Sequence, residues 1–223
     1  MTEDSAAAAH PVMRHLARKL CRCVDPRCQT QKVQLDLPER PTGGWGSHWK
    51  SNAPEAITLR REIATRLALG HFVLMHVDGE CRWSERKESE NARHFRERFR
   101  DRVRRVLDAS GKDPAVLDGL LPVIPHFEME AWLYQATDTA SRLCRDGPCG
   151  RHLELFSQWK ADRALLDEVE DTKGACCLAD RHNEELAKDF PAEEVAAAGT
   201  SFAAVVELLR NTPRFMQALA RTC

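Results

Sequence analysis

The chain lacks any long apolar segment and any leader-like start. No stretch of its 223 residues approaches the ~18 consecutive apolar residues of a membrane span, so we expect no transmembrane helix and no membrane partner. The start, MTEDSAAAAHPVMRH, is acidic and then small, without the basic segment before an apolar one that marks a secretory signal. These absences predict a cytoplasmic protein, and an apolar content of 43% is sufficient for a sizeable core.

The nine cysteines lack the C-x2-C spacing of a zinc knuckle. Their number is odd and no secretory signal is present, so we do not expect a disulfide framework. Two clusters stand out: Cys21, Cys23 and Cys28 in CRCVDPRC, and Cys144 and Cys149 in CRDGPC. Five thiols could supply four zinc ligands, which keeps a zinc-stabilised binding module as an alternative. We expect reduced, unligated thiols instead, and we do not expect zinc.

The sequence also lacks an excess of charge and two common catalytic motifs. The formal net charge is −1, which does not by itself indicate a nucleic-acid binder. There is no Gly-rich Walker lysine loop, and no Ser, His and Asp set surrounds a nucleophile elbow. ATP hydrolysis by a P-loop and serine-hydrolase chemistry are therefore not supported.

Positive charge is nevertheless concentrated in one predicted helix, Glu88–Leu107. Its apolar residues recur at helical spacing and predict one buried stripe, formed by Phe95, Phe99, Val103 and Val106 or Leu107. Its other faces carry Arg93, Arg96, Arg98, Arg100, Arg102, Arg104 and Arg105. A guanidinium-rich face can bind phosphates. The alternative is a solvated helix whose arginines pair with Glu97 and Asp101.

Strand-like and helix-like segments alternate along the first part of the chain. The predicted strands are Lys32–Leu37, Phe72–Val77 and Leu120–Ile124. The predicted helices are Pro11–Cys21, Pro54–Leu69, Glu88–Leu107, a helix beginning near Glu128, His152–Leu166, Asp180–Lys188, Ser201–Arg210 and Pro213–Arg221. This order predicts an α/β fold with a small, mostly parallel sheet flanked by helices. We expect an α/β core over residues 1–140 and a helical C-terminal extension over residues 141–223.

Acidic residues follow the second and third predicted strands. Asp78 and Glu80 come directly after the second strand, and Glu128 and Glu130 come soon after the third. Open α/β sheets place ligands beyond the carboxyl ends of their strands. Mg²⁺ is usually held by one or two carboxylates with waters and substrate phosphates. The alternative is an ordinary Asp-Gly turn, followed later by acidic residues that favour a helix dipole.

The order of these motifs resembles small bacterial proteins of the TOPRIM-like (topoisomerase–primase) class. An early Glu3, the pair Asp78 and Glu80, and a later strand ending before a Glu-Ala-Trp-Leu helix carry the resemblance, which covers about residues 1–135. Typical members have Asp-x-Asp where this chain has Asp-x-Glu, and a strand before the first Glu where this chain has none. If Lys32–Leu37 is the first strand, Glu39 replaces Glu3 as the candidate.

The resemblance implies a Mg²⁺- or Mn²⁺-dependent nuclease, or a related phosphoryl-transfer enzyme acting on nucleic acid. Asp78 and Glu80 would hold the metal with Glu130 or Glu128 assisting, and Glu3 would act as general acid/base or further ligand. The residues expected to neutralise backbone phosphates are Lys50, Arg82, Arg93, Arg96, Arg100 and Arg104. Relatives often accompany larger ATPases in mobile-element or phage-defence loci, so a partner ATPase is expected. The alternative is a non-catalytic binding partner with tryptophans as interface anchors.

Overall fold

The computed structural model of the chain describes residues 9–36, 49–80, 89–125, 128–145, 153–168 and 178–222. The first half contains α1 (Ala9–Val24), α2 (Pro54–Ala68), β1 (Val73–His76), α3 (Glu90–His94), a π-helical turn (Phe95–Phe99), α4 (Arg100–Ala109), a 3-10 turn (Pro114–Gly119), β2 (Leu120–Val123) and α5 (Glu130–Leu133). The second half is helical, with α6 (Thr137–Arg145), α7 (Leu153–Ala161), α8 (Ala164–Glu168), a 3-10 turn (Asp180–His182), α9 (Asn183–Asp189), α10 (Ala192–Ala197), α11 (Ser201–Arg210) and α12 (Pro213–Thr222).

The two strands form a parallel pair, with Val73 opposite Leu120 and His76 opposite Val123. The expected small parallel sheet with a helical C-terminal part is therefore confirmed, and the described residues are mostly helical. Among these helices, none combines the length and apolarity that crossing a bilayer requires.

Side chains alternate across the sheet and face a different core on each side. Val73, Met75 and Val77 belong to a small core with Leu120, α2 and the arginine-rich helix. Leu121 and Val123 belong to a large core with α1 and the helices after α5, and Leu74 packs against it. Because both faces are covered, the strands are apolar almost throughout, as is typical of parallel strands.

The large core joins the N-terminal helix to the C-terminal helices. α1 contacts α9, α10 and α11. Its buried residues include Val12, Met13, Leu16 and Leu20. Between α5 and α11, the indole N–H of Trp132 donates to Ser201 Oγ at 2.7 Å, and the Trp132 ring meets Phe202 edge-on. These contacts bring α5, and with it Glu130, onto the helical part of the protein.

The predicted arginine-rich helix is confirmed as a continuous helical segment, Glu90–Ala109. Ser89 caps it, since its hydroxyl accepts the backbone N–H of Ala92 at 2.9 Å. One π-helical turn interrupts the segment at Phe95–Phe99, a geometry that occurs often at functional sites. The buried stripe is the predicted one, with Leu107 rather than Val106 as its last fully buried residue.

The predicted strand Lys32–Leu37 is wrong for residues 32–36, which form a turn and an irregular segment outside the sheet. The backbone N–H groups of Lys32 and Val33 bond locally to Gln29 and Thr30 instead of to a neighbouring strand. The apolar and polar alternation has another cause. Val33 packs partly against the large core, while Asp36 pairs with Arg66 at the surface. Leu37 lies outside the described residues.

Candidate functional site

Asp78 lies just beyond the carboxyl end of β1, where three elements hold it. Parallel pairing continues past the strands, because the N–H of Val77 donates to the Val123 carbonyl and that of Gly79 to the Pro125 carbonyl. The Nδ2 of Asn91, in the first turn of α3, donates to the Asp78 carbonyl at 2.7 Å. The buried ring of His76 places its Nε2 3.2 Å from Asp78 Oδ1. The backbone of Asp78 is therefore held by its neighbours, and its carboxylate contacts His76 while remaining partly exposed.

Glu130 is directed to the same place from the start of α5. Its Oε1 accepts the Nδ2–H of Asn183, the first residue of α9, at 3.0 Å. Burial raises the pKa of Glu130, and the nearby carboxylates of Glu128 and Asp78 raise it further. The hydrogen bonds that Glu130 accepts from a backbone N–H and from Asn183 lower this pKa in part. The structure thus brings Asp78 and Glu128 within electrostatic reach of Glu130, beyond the carboxyl ends of the strands.

Glu80 occupies a different environment from Asp78. Its side chain is exposed, and its carboxylate is not among the charges that raise the pKa of Glu130. Its φ of 55° lies in the left-handed region, which L-residues adopt at a conformational cost and which is concentrated at functional sites and turns. The Asp-Gly-Glu segment therefore combines the geometry of a turn with one carboxylate, that of Asp78, whose charge acts on Glu130.

The oxygen atoms around Asp78 suit a divalent metal ion. Asp78 and Glu130 offer the hard oxygen ligands that Mg²⁺ and Mn²⁺ prefer, and a cation would offset both the burial of Glu130 and the added repulsion from Glu128 and Asp78 that raise its pKa. The Oδ1 of buried Asn91 has no hydrogen-bond partner in the described part of the chain, and such an acceptor suits a metal-bound water. Within the same part of the chain, no three His, Cys, Asp or Glu side chains form a ready metal-binding group. The residues fit an ion held by one or two carboxylates and completed by waters.

The predicted phosphate-binding residues lie in several different environments. Arg100 is turned inward, where it donates to the Leu120 carbonyl at 2.8 Å and burial lowers its pKa. Arg104 pairs with Asp101 at 2.5 Å and Arg96 with Glu97 at 3.0 Å, which is the pairing expected of a solvated helix. Arg93 is exposed, and Lys50 lies over the ring of Trp49, 5.7 Å from its centroid. Glu3, Glu39 and Arg82 lie outside the described residues.

The cysteines divide into buried thiols and a disulfide. Cys21, Cys23 and Cys28 are buried in the large core in the thiol form, and burial raises the pKa of Cys23, which keeps that thiol protonated. The expectation of reduced cysteines is wrong for Cys144, which takes part in a disulfide. The expectation rested on composition, whereas a disulfide depends on two cysteines lying close in space.

Other residues depart from the sequence interpretation. Trp49, Trp132 and Trp159 are at most 2% exposed, so they fill the cores and cannot anchor an interface.

Asn91 and Asn183 support the acidic site without having been predicted. Asn91 carries a weak signal, since it follows a helix cap near the charged loop, whereas Asn183 lies 53 residues from its partner and carries none.

A cavity of about 480 Å³ opens at the opposite, amino end of β1. Phe72 and Phe215, which meet edge-on 5.3 Å apart, form part of its wall, together with Met13 and Leu219. Asp36 and Arg66 line it as an ion pair. The cavity is therefore mainly apolar and separate from the acidic residues.

Comparison with family models, with curated proteins and with solved structures gave no match for this chain. Its functional assignment therefore rests on the geometry of the site.

Proposed function

We propose that this protein is a Mg²⁺- or Mn²⁺-dependent nuclease, or a related phosphoryl-transfer enzyme on nucleic acid, with a TOPRIM-like active site. The observation that supports the proposal is the convergence of Asp78, Glu128 and Glu130 at the carboxyl ends of two parallel strands. Like charges are costly to hold together near a protein interior, and a bound cation is the usual reason for doing so.

The roles follow from the surroundings of each side chain. Asp78 would hold the metal, because Asn91 fixes its backbone, His76 contacts its carboxylate and that carboxylate is partly exposed. Polarisation of the scissile phosphate and activation of a water are the chemistry that a bound divalent metal supplies. Glu130 keeps its proton to a higher pH than an ordinary glutamate, since its pKa is raised, and this suits proton transfer to or from that water.

A second candidate function is a non-catalytic binding partner of a larger ATPase. It is favoured by the absence of a three-ligand metal group from the described residues, and by the exposed, turn-like position of Glu80. In that case the acidic residues would retain the fold of the site without its chemistry, and nucleic acid would not be cleaved.

A cleavage assay on single- and double-stranded DNA and RNA, with Mg²⁺ and with Mn²⁺, separates the two candidates. Asp78→Asn keeps the shape of the side chain while it removes the negative charge, so we expect metal-dependent cleavage to fall at least ~100-fold, in the range of losses for an essential catalytic group. Glu154→Gln is the matched control, because Glu154 is an exposed acid on α7. Wild-type protein that cleaves none of the substrates would reject the nuclease proposal in favour of the binding partner.

A further inference from the structure

We propose that a basic cluster beside the arginine-rich helix binds the phosphate groups of a nucleic-acid backbone. The cluster consists of Lys50, Arg98 and Arg102, whose charges act on His94, and of Arg60, which lies beside Arg102. The inference rests on the proposed function for the identity of its ligand, a polynucleotide, but it concerns residues outside the acidic site.

Two guanidinium groups of the cluster converge on one short segment of backbone. Nη1 of Arg60 donates to the Ser51 carbonyl at 2.9 Å. Nη1 of Arg102 donates to the same carbonyl at 3.1 Å and to the Lys50 carbonyl at 2.7 Å. Arg60 is only 5% exposed, so one of these two adjacent charges is almost completely buried. The arrangement holds like charges together in a place where solvent screens them poorly.

No acidic side chain neutralises this cluster within the described part of the chain. Elsewhere the arginines Arg66, Arg96, Arg104 and Arg105 each have a carboxylate partner. Burial lowers the pKa of Arg60, and the charge of Arg102 lowers it further. A buried cation beside a second cation is strongly unfavourable unless an anion completes it. Each guanidinium has five N–H donors, and both keep donors beyond those given to the backbone.

His94 is affected by the same excess of positive charge. Burial lowers the pKa of His94, and Arg102, Arg98 and Lys50 lower it further, while Glu90 alone acts in the opposite sense. Its Nε2 is buried without a hydrogen-bond partner among the described residues, and its ring lies edge-on to Trp49 at 5.1 Å. An oxyanion among these cations would reverse their effect and raise the pKa of His94.

Two members of the cluster, Arg98 and Arg102, lie on the helix that begins beside the acidic site. Asn91, which binds the Asp78 carbonyl, is followed one turn later by His94, and then at four-residue intervals by Arg98 and Arg102. The helical rise places Arg102 about 16 Å beyond Asn91. That distance is about five steps of a nucleic-acid strand at ~3.4 Å per step. A strand whose scissile phosphate lies at Asp78 can therefore place a later phosphate at the cluster.

The test is the affinity of the full chain for a short fluorescent single-stranded oligonucleotide, measured by anisotropy at several salt concentrations. Lys50→Gln with Arg98→Gln removes two cations that donate no hydrogen bond to the described residues, so the fold is expected to remain intact. We expect Kd to rise at least ~10-fold, and the slope of log Kd against log salt to fall by about 0.7 for each phosphate that the variant no longer neutralises. Arg105→Gln, a control on the same helix whose arginine pairs with Asp101, should change Kd less than about twofold.

His94 provides a second measurement through the NMR titration of its ring protons. Saturation with oligonucleotide should raise the pKa of His94 in the wild type and leave it unchanged in the double variant. Inorganic phosphate is the comparison ligand. If phosphate alone raises this pKa while the oligonucleotide does not bind, the polynucleotide ligand is rejected. An equal loss of affinity in Arg105→Gln, or no loss in the double variant, would overturn the site.

Because Asp78→Asn alters an acid outside the cluster, oligonucleotide binding can be tested independently of the nuclease proposal. If oligonucleotide binds through the cluster but no metal cleaves it, the proposed function fails while the phosphate site stands. If the wild type cleaves nucleic acid but the double variant binds it normally, the phosphate site fails while the proposed function stands.

Discussion

Substitution of Glu130 by Gln tests whether the acidic residues are held together at a cost. Burial and the carboxylates of Glu128 and Asp78 raise the pKa of Glu130 in the folded protein above its unfolded value. The folded state therefore binds more protons than the unfolded state between those two pKa values, and stability is lost as pH rises through that interval. Glu130→Gln removes this loss, and its amide oxygen can still accept the hydrogen bond from Asn183.

The expected gain is about 1 kcal/mol at neutral pH, within the range for relieving unfavourable charge interactions. For a chain of this length, 1 kcal/mol corresponds to a rise in melting temperature of about 2–4 °C. Thermal unfolding in a metal chelator should show this difference at pH 8. The difference should disappear at about pH 3, more than one unit below the unfolded pKa of glutamate, where wild-type Glu130 is protonated in both states.

A loss of stability in Glu130→Gln would contradict this reasoning. If Glu130→Gln is less stable than the wild type at pH 8, the carboxylate is a structural acceptor that the fold needs in its charged form. The repulsion among the three acids would then be too weak to indicate a cation site.

Two further predictions concern the fold around the site. Trp132→Phe removes the buried donor to Ser201, so urea unfolding should show a loss of about 1–3 kcal/mol; a loss below about 0.5 kcal/mol would contradict the role assigned to this bond. Arg100→Met removes the guanidinium donor to the Leu120 carbonyl, so it should cost about 1–3 kcal/mol while oligonucleotide affinity stays unchanged. Normal stability with weakened binding would instead return Arg100 to the phosphate-binding residues.

The elements that sequence could predict are those whose pattern has a single cause. The runs at β1 and β2 are apolar on both faces because each face packs on a separate core, and no solvated segment has that composition. The alternation at Lys32–Asp36 has two interpretations, since a strand and a loop lying along a core both place Val33 inward. Whether a neighbouring strand is present to pair with the segment is decided elsewhere in the chain.

The acidic site could likewise be predicted from the sequence only in part. Asp78 and Glu130 could be expected to meet, because each follows one of two strands whose carboxyl ends lie side by side. Asn183 could not be expected there, because the packing of α9 against α5 brings it to Glu130. Arg60 was overlooked for a similar reason. It lies on α2 and meets Arg102 only through the Lys50–Ser51 backbone.

Mn²⁺ binding by the metal-free protein, followed by electron paramagnetic resonance, tests the central claim directly. We predict saturable Mn²⁺ binding by the wild type and unchanged binding by Glu154→Gln. Asp78→Asn should bind Mn²⁺ at least ~10-fold more weakly, as expected when a metal site is impaired. Equal Mn²⁺ affinity in the wild type and Asp78→Asn would contradict the claim that the carboxylates at the ends of β1 and β2 form a cation site.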